Sequence, residues 1–393
     1  MKIAPWDVAI IGGGPAGCAT ALALAKRGVS RICIVDATHE TSVRRIGESI
    51  PPDTRLLLDD LQGWEAFVAD RHEPCLGSCA AWGSDVLGYN DFVLNAHGPG
   101  WHLDRAVFER RLRELAQARN VEIFRETRLV DVKFDAPAVN TLCLELLSGG
   151  VQKIEARYVV DATGARAAVA RRAGTLPKVL DRLVFVYGFF DAAAGASGSQ
   201  LTIAETAPDG WWYAAGVPGR ELVVAFATDP EQAREAQIAS EHCWLGRVLR
   251  TRHVAARLDG CRFRRGSLLV RAAPVSRLDC AAGRRWLAVG DAAAAYDPLS
   301  SQGIYKALAD GLRAAAALTE ALSADSDIPP EYARVTLDEF EEHRVSRNHF
   351  YGLETRWAAS PFWHRRTAAR DFSSEPKGGR TTLQPSQAQG VSA

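Results

Sequence analysis

A chain of 393 residues is long enough to enclose a sizeable core and more than one structural unit. Lys+Arg and Asp+Glu both number 47, and the resulting zero net charge argues against non-specific nucleic-acid binding. With 47% hydrophobic and 24% charged residues the composition is that of a soluble globular protein, and no apolar run approaches the roughly 18–20 residues needed to cross a bilayer.

The first element runs from Val8 to Ile11, a short apolar stretch of the kind that forms a strand buried on both faces. Good helix formers follow from Ala16 to Lys26, and the apolar run RICIVDA completes a strand–helix–strand unit. Gly12, Gly14 and Gly17 fall at its first turn in G-x-G-x-x-G spacing, with Pro15 and Ala16 opening the helix. In that setting the first glycine permits a tight turn and the second lets the backbone approach a pyrophosphate. The third lets helix and strand pack closely, while the helix N-terminus offers amide donors. Asp36, at the end of the second strand, can accept hydrogen bonds from an adenosine ribose. The unit reads as a dinucleotide site. With Met1 so close to the first strand there is no room for a signal segment, so a cytoplasmic location is expected.

Further along, RRIGESIPP (Arg44 to Pro52) sets a Gly–Glu–Ser turn before two prolines and a helix from Thr54. Of the eight cysteines the closest pair, Cys75 and Cys79, lacks a partner pair at zinc-ligand spacing, so no metal is expected. The segment WHLDRAVFERRLRELAQ places Leu103, Val107, Phe108, Leu112 and Leu115 on one helical face and leaves Arg110, Arg111 and Arg113 for a solvated one. Tyr158–Val160 reads as a buried strand running into a turn at Asp161, Thr163 and Gly164. DRLVFVYGFF, SQLTIAET, DGWWYAAGV and GRELVVAFAT read as successive strands with turns between them. Trp286–Val289 is another strand, leading into Gly290–Asp291 and then a loop, Asp297 to Ser301, that opens a long helix near Gly303. Asp291 can hold a polyol hydroxyl such as a ribityl chain carries. Amides at Ser301, Gln302 and Gly303 would stabilise negative charge on a reduced flavin, and Pro298 fixes the loop's φ. These features favour FAD over NAD. The polar, Pro/Gly/Ser-rich residues 371–393 are expected to be a disordered tail.

GGGPAG, DATG and GDAAAAYDP, in this order, resemble the FAD-binding framework of the p-hydroxybenzoate-hydroxylase-type flavoproteins and the related tryptophan halogenases. That resemblance implies an α/β fold: a Rossmann-type FAD-binding domain with a mostly β substrate domain and C-terminal helices. It also implies flavin contacts from Arg45, Glu48, Ser49 and Arg105, with Asp161, Gly164 and Gly290 at the cofactor turns. The discontinuous FAD domain is expected over 1–70, 101–174 and 276–325, the substrate domain over 71–100 and 175–275, and a helical region over 326–370.

A narrower likeness is carried by GESIPP, AAWGSD, DGWWYAA, GDAAAAYDPLSSQGI and HFYGLETRWAASPFWHRR. Together these resemble the flavoproteins that mature tryptophylquinone enzymes, the accessory proteins of lysine ε-oxidase, glycine oxidase and quinohemoprotein amine dehydrogenase. The resemblance implies hydroxylation of a tryptophan side chain in a partner polypeptide, with O2 as co-substrate and NAD(P)H or a separate flavin reductase as electron source. Glu48, Asp297 and Pro298 are then the candidate catalytic residues, and Trp82, Trp211, Trp212 and Tyr213 either stack on an indole or pack the sheet. Three alternatives stand beside this one. A small-molecule aromatic hydroxylase would use the same parts. A halogenase would need an active-site lysine, and the stretch from Arg71 through HEPCLGSCAAWGSDVLGYNDF has none; its GWWYAAGVP also departs in spacing from the halogenase W-x-W-x-I-P. A flavin-binding accessory protein would dock its partner without chemistry.

Overall fold

The computed structural model describes residues 4–38, 46–134, 139–192 and 200–367. Its centre is an eight-stranded sheet in which Glu122–Arg125, Ile32–Asp36, Trp6–Ile11, Val151–Asp161 and Trp286–Ala288 lie parallel in that order. Val8, Ala9 and Ile10 are fully buried, as their uninterrupted apolar character requires of a strand covered on both faces. One face is covered by the helix Pro15–Lys26 and the long helix Gly303–Ala324, which meet through small buried residues such as Ala19, Ala23, Ala314 and Ala315. The helix Arg105–Gln117 is started by Asp104, whose carboxylate accepts from the amides of Ala106 and Val107, and it buries Phe108 and Leu112 as the spacing predicts.

A second sheet has nine strands, with main order Ala294–Ala295, Leu269–Arg277, Lys178–Asp191, Glu221–Thr228, Gly210–Val217, Leu201–Ala207, Gly77–Ala81 and Gly88–Asp91. Its neighbours are antiparallel except for Leu201–Ala207 against Gly77–Ala81. Strand Leu269–Arg277 runs through position 275, so the sheet extends past the expected domain edge, and Ala294–Ala295 joins it from the late nucleotide-domain segment. A small three-stranded sheet of Ser49–Ile50, Gly100–His102 and Glu73–Cys75 joins the two halves.

Two C-terminal helices, Pro330–Leu353 and Pro361–Thr367, complete the chain. The first buries Tyr332 in the central core, and Tyr351, Phe362 and Trp363 pack with Trp211 on the second sheet. No helix among the described residues is long and apolar enough to cross a membrane. The proposed tail, 371–393, lies outside the described residues.

Candidate functional site

A cavity of about 1220 Å³ runs between the two sheets, from the first βα turn to the start of the long helix. That is larger than the roughly 300–1,000 Å³ typical of small-molecule pockets and calls for an extended ligand. At its nucleotide end the walls are Gly12, Gly13, Gly14, Pro15, Ala16 and Asp36. Two contacts explain the glycines there. A Cβ on Gly17 would sit 2.0 Å from the carbonyl oxygen of Gly12, and one on Gly13 would sit 2.4 Å from the Asp36 carboxylate. Gly17 therefore stands behind the cavity, letting helix and strand approach, while Gly14 has open space where a Cβ would be. Arg113 comes within 3.8 Å of Asp36 and donates to the carbonyl of Gly13, with its side chain mostly buried. It is part of this cradle, not of the solvated face its sequence position suggested. The face assignment failed because the glycine loop packs against the side of the helix that carries Arg113.

In the middle of the cavity the expected residues divide. Gly164 and Gly290 line it. Asp161 does not: its carboxylate is fully buried and accepts from Thr163 N and Oγ1 and from the amides of Val169 and Ala170. It organises the DATG turn, and the cofactor contact expected of it is withdrawn. Asp291 is in the cavity wall with its side chain open to the cavity, and desolvation by the surrounding protein, with Asp310 nearby, pushes its pKa up against the pull of Lys306 and Arg105. The turn that carries it is pinned from behind. Asp310 accepts from the Gly290 amide at 3.0 Å and from Lys306 Nζ at 2.6 Å, and Lys306 also donates to the Gly290 carbonyl.

At the far end stand Gly47, Glu48, Ser49, Pro298, Ser301 and Gly303. Arg105 lines the cavity and holds the approach to Glu48, donating to the carbonyls of Ile46 at 2.5 Å and Gly47 at 2.9 Å and to Glu109 at 2.6 Å. The helix Gly303–Ala324 points its N-terminus into this end with Gly303, Ile304 and Ala307 in the wall. Gln302 is absent from the wall; its carbonyl accepts from the Lys306 amide inside the helix. Arg45 lies outside the described residues.

Asp297 departs furthest from expectation. One oxygen accepts from the Leu299 amide at 3.0 Å and the other from Arg347 Nε at 2.7 Å. Arg347 also pairs with Asp181, which pairs with Arg366 at 2.8 Å, and Arg366 reaches Asp229 at 2.7 Å. Asp297 lines the cavity, and with one oxygen on a backbone amide and the other on Arg347 it also fixes the loop. His343 props the same loop, accepting from the Asp297 amide at 3.0 Å while stacked on Tyr296. Burial lowers the His343 pKa to about 4, which keeps that acceptor neutral. None of these partners is legible in the sequence, since Asp181, His343, Arg347 and Arg366 lie far apart in it.

A smaller recess opens beside the far end, lined by Ile50, Cys75, Cys79, Phe92 and Leu299 and sharing Ser49, Trp211, Tyr213, Pro298 and Ser301 with the main cavity. Trp211 and Tyr213 face this junction because alternate residues of a strand share a side. Trp212, one step away, faces the opposite core against Phe226 and Trp244 at ring distances of 4.6 and 5.5 Å, so its expected substrate contact is withdrawn. Trp82 likewise lines neither cavity. It donates to the Phe350 carbonyl at 2.7 Å and backs Trp211 at 6.1 Å, in a cluster with Tyr351 and Trp363. Phe185 and Tyr187 add a stacked pair to the wall that the sequence did not single out. Burial and the nearby Glu48 push the Tyr187 and Tyr213 hydroxyls well up, so both are neutral phenols. Burial also raises the Cys75 and Cys79 thiols.

A glycine cradle with an acidic partner, an extended cavity, and a helix N-terminus at its far end define a dinucleotide-binding flavoprotein of two packed sheets. The chain belongs to the FAD-binding-domain family, whose model matches residues 5–338. It is 28% identical over 377 residues to the putative FAD-dependent oxidoreductase LodB of Marinomonas mediterranea, covering 92% of this chain and 97% of that one. Its fold is similar to the flavin-dependent halogenase CmlS (TM-score 0.83, 24% identity, covering 93% of this chain and 68% of that one). It is also similar to p-nitrophenol 4-monooxygenase PnpA from Pseudomonas putida (TM-score 0.68, 19% identity, covering 92% and 88%). The residues fit FAD: the Gly12–Ala16 turn and Asp36 would hold its adenosine and pyrophosphate, Asp291 its ribityl chain, and the Pro298–Gly303 segment its ring.

Proposed function

We propose that this FAD-dependent oxidoreductase is a monooxygenase that hydroxylates an aromatic ring, and that the ring is a tryptophan side chain of a partner polypeptide on its way to a tryptophylquinone. The observation that carries the reading is the apolar recess meeting the main cavity at Trp211 and Tyr213. Bound FAD, reduced by NAD(P)H or a flavin reductase, would supply activation of O2. The protein's share is to exclude water, orient the ring and stabilise charge. Trp211, Phe185 and Tyr187 give an apolar wall, and the amides near Ser301 and Gly303 face developing negative charge. The similarity to LodB over nearly its whole length supports a polypeptide substrate like that of the accessory flavoproteins.

Halogenation is the second reading, favoured by the fold likeness to CmlS. Against it, no lysine stands among the described residues of either cavity wall. The test is mass spectrometry of the apo form of a tryptophylquinone-bearing amine oxidase or dehydrogenase subunit after incubation with holoprotein, reductant and O2. One or two added oxygen atoms on a single tryptophan are expected. An unchanged mass would reduce the protein to a docking factor, and a bromine adduct with free tryptophan and bromide would favour halogenation.

A further inference from the structure

Four of the ten tryptophans stand ring against ring between the cavity wall and the outer face. Trp211, in the wall of both cavities, lies 6.1 Å from Trp82, Trp82 lies 5.6 Å from Trp363, and Trp363 lies 6.3 Å from Trp357. Tyr351 spans the same interval: its hydroxyl accepts from Trp211 Nε1 at 3.2 Å, and its ring is 5.9 Å from both Trp82 and Trp363. Every step falls in the range of roughly 4.5–7 Å that marks rings in direct contact. Trp211 and Trp363 are buried, whereas Trp357 is partly exposed among the exposed Thr355, Ala358 and Ala359.

Filling a core needs apolar volume, which leucine or phenylalanine supplies without a buried N–H. Indole adds an electron-rich ring that gives up an electron far more readily than phenyl. The inner indoles keep their protons: Trp82 donates to the Phe350 carbonyl at 2.7 Å, Trp363 to the Ala207 carbonyl at 2.8 Å and Trp211 to the Tyr351 hydroxyl. None of these acceptors is a base, so an electron vacancy on an inner ring is not trapped there by proton loss. Trp357 meets water, where its proton can leave. Arg356 lies over it at 4.4 Å, but Glu354 pairs with Arg356 at 2.6 Å and balances that charge. The neighbouring pair Trp212 and Trp244 is buried at both members and offers no such outlet.

We propose that Trp211, Trp82, Trp363 and Trp357, with Tyr351 beside them, form a relay that carries a one-electron oxidising equivalent from the flavin cavity to the surface. The proposal goes beyond hydroxylation and rests only on FAD in the cavity. Trp211 gives one electron to an oxidant at the flavin: an oxygen-derived one when turnover meets no substrate, or light-excited oxidised FAD in the test below. Trp82, Trp363 and Trp357 in turn each return one electron to the ring before them. Trp357, left one electron short, releases its indole proton to water. A soluble reductant of the ascorbate or thiol class then restores it with one electron and one proton.

Laser-flash photolysis of the FAD-loaded protein without oxygen tests this apart from turnover. A neutral tryptophan radical is expected, its decay accelerating in proportion to added ascorbate because Trp357 is within reach of solvent. Trp357→Phe should abolish the ascorbate-sensitive phase while leaving the prompt quenching of flavin fluorescence by Trp211. Trp363→Phe, which removes the ring through which both branches reach Trp357, should shrink that phase; if this buried variant fails to fold, the surface variant carries the test alone. Peptide mass spectrometry after long illumination in air should find added oxygen at Trp357. No tryptophan radical, a radical indifferent to ascorbate in the unmodified protein, or an ascorbate-sensitive phase unchanged in Trp357→Phe would each overturn the proposal.

Discussion

Gly17 sits where nothing larger fits. Gly17→Ala would set a methyl 2.0 Å from a backbone oxygen that moves only if the first turn opens. A loss of about 1–3 kcal/mol and purification without bound flavin are expected, read by denaturant titration and flavin absorbance. Arg347 is the matching case for charge. Arg347→Met would leave Asp297 buried without its counter-ion and remove one of the two arginines on Asp181, costing about 3–5 kcal/mol. Adding Asp297→Asn should recover part of that loss, because the orphaned charge is then gone, and a four-variant denaturation cycle measures it. His102 and His343 carry a pH consequence with a definite sign. Both are held near 4 from an ordinary 6.5, so between those values the unfolded chain binds more protons than the folded one. Their contribution is fully present above about pH 6.5 and is lost as pH falls toward 4. The melting temperature should therefore drop on acidification, less steeply in His343→Gln.

At the scale of single elements, the strand Gly210–Val217 shows how one run serves two purposes. Its alternation sends Trp211 and Tyr213 to the cavities and Trp212 to the opposite core. Trp212→Ala should cost about 3–5 kcal/mol and leave the bound flavin's spectrum unchanged. Trp211→Ala should disturb that spectrum as well as stability, because Trp211 lies in the wall. Visible absorbance and urea titration on the same samples separate the two. Motifs local to one element were legible: the glycine turn, the strand ends at Gly290 and the start of the long helix at Gly303 all depend on a few adjacent residues. Side-chain direction was less so. The adjacent pair Trp211–Trp212 reads as one aromatic patch until a sheet exists to divide it, and Arg113 reads as surface until the glycine loop is packed beside its helix.

For the molecule as a whole, the long cavity draws its walls from both sheets, so a ligand that fills it should stabilise the two together. Saturating FAD should raise a single cooperative melting transition, by about 2.7 kcal/mol of stability at a hundredfold excess over Kd. Two separate transitions, only one of them responsive to FAD, would mean that the sheets do not share the ligand. The resemblance to the flavoprotein framework pointed to FAD; by itself the sequence determined that a dinucleotide fold is present and that the middle of the chain is a β layer. Those properties follow from local sterics and from hydrophobic period, both written in neighbouring residues. Tertiary structure alone decided that Asp297 is neutralised by Arg347, that Asp161 braces a turn, and that Trp211, Trp82 and Trp363 form one line of rings. The partners of Asp161 lie only two to nine residues away, but the other contacts join distant positions, 268 residues apart in the case of Trp82 and Phe350, and exist only once the two sheets and the C-terminal helices have closed on one another.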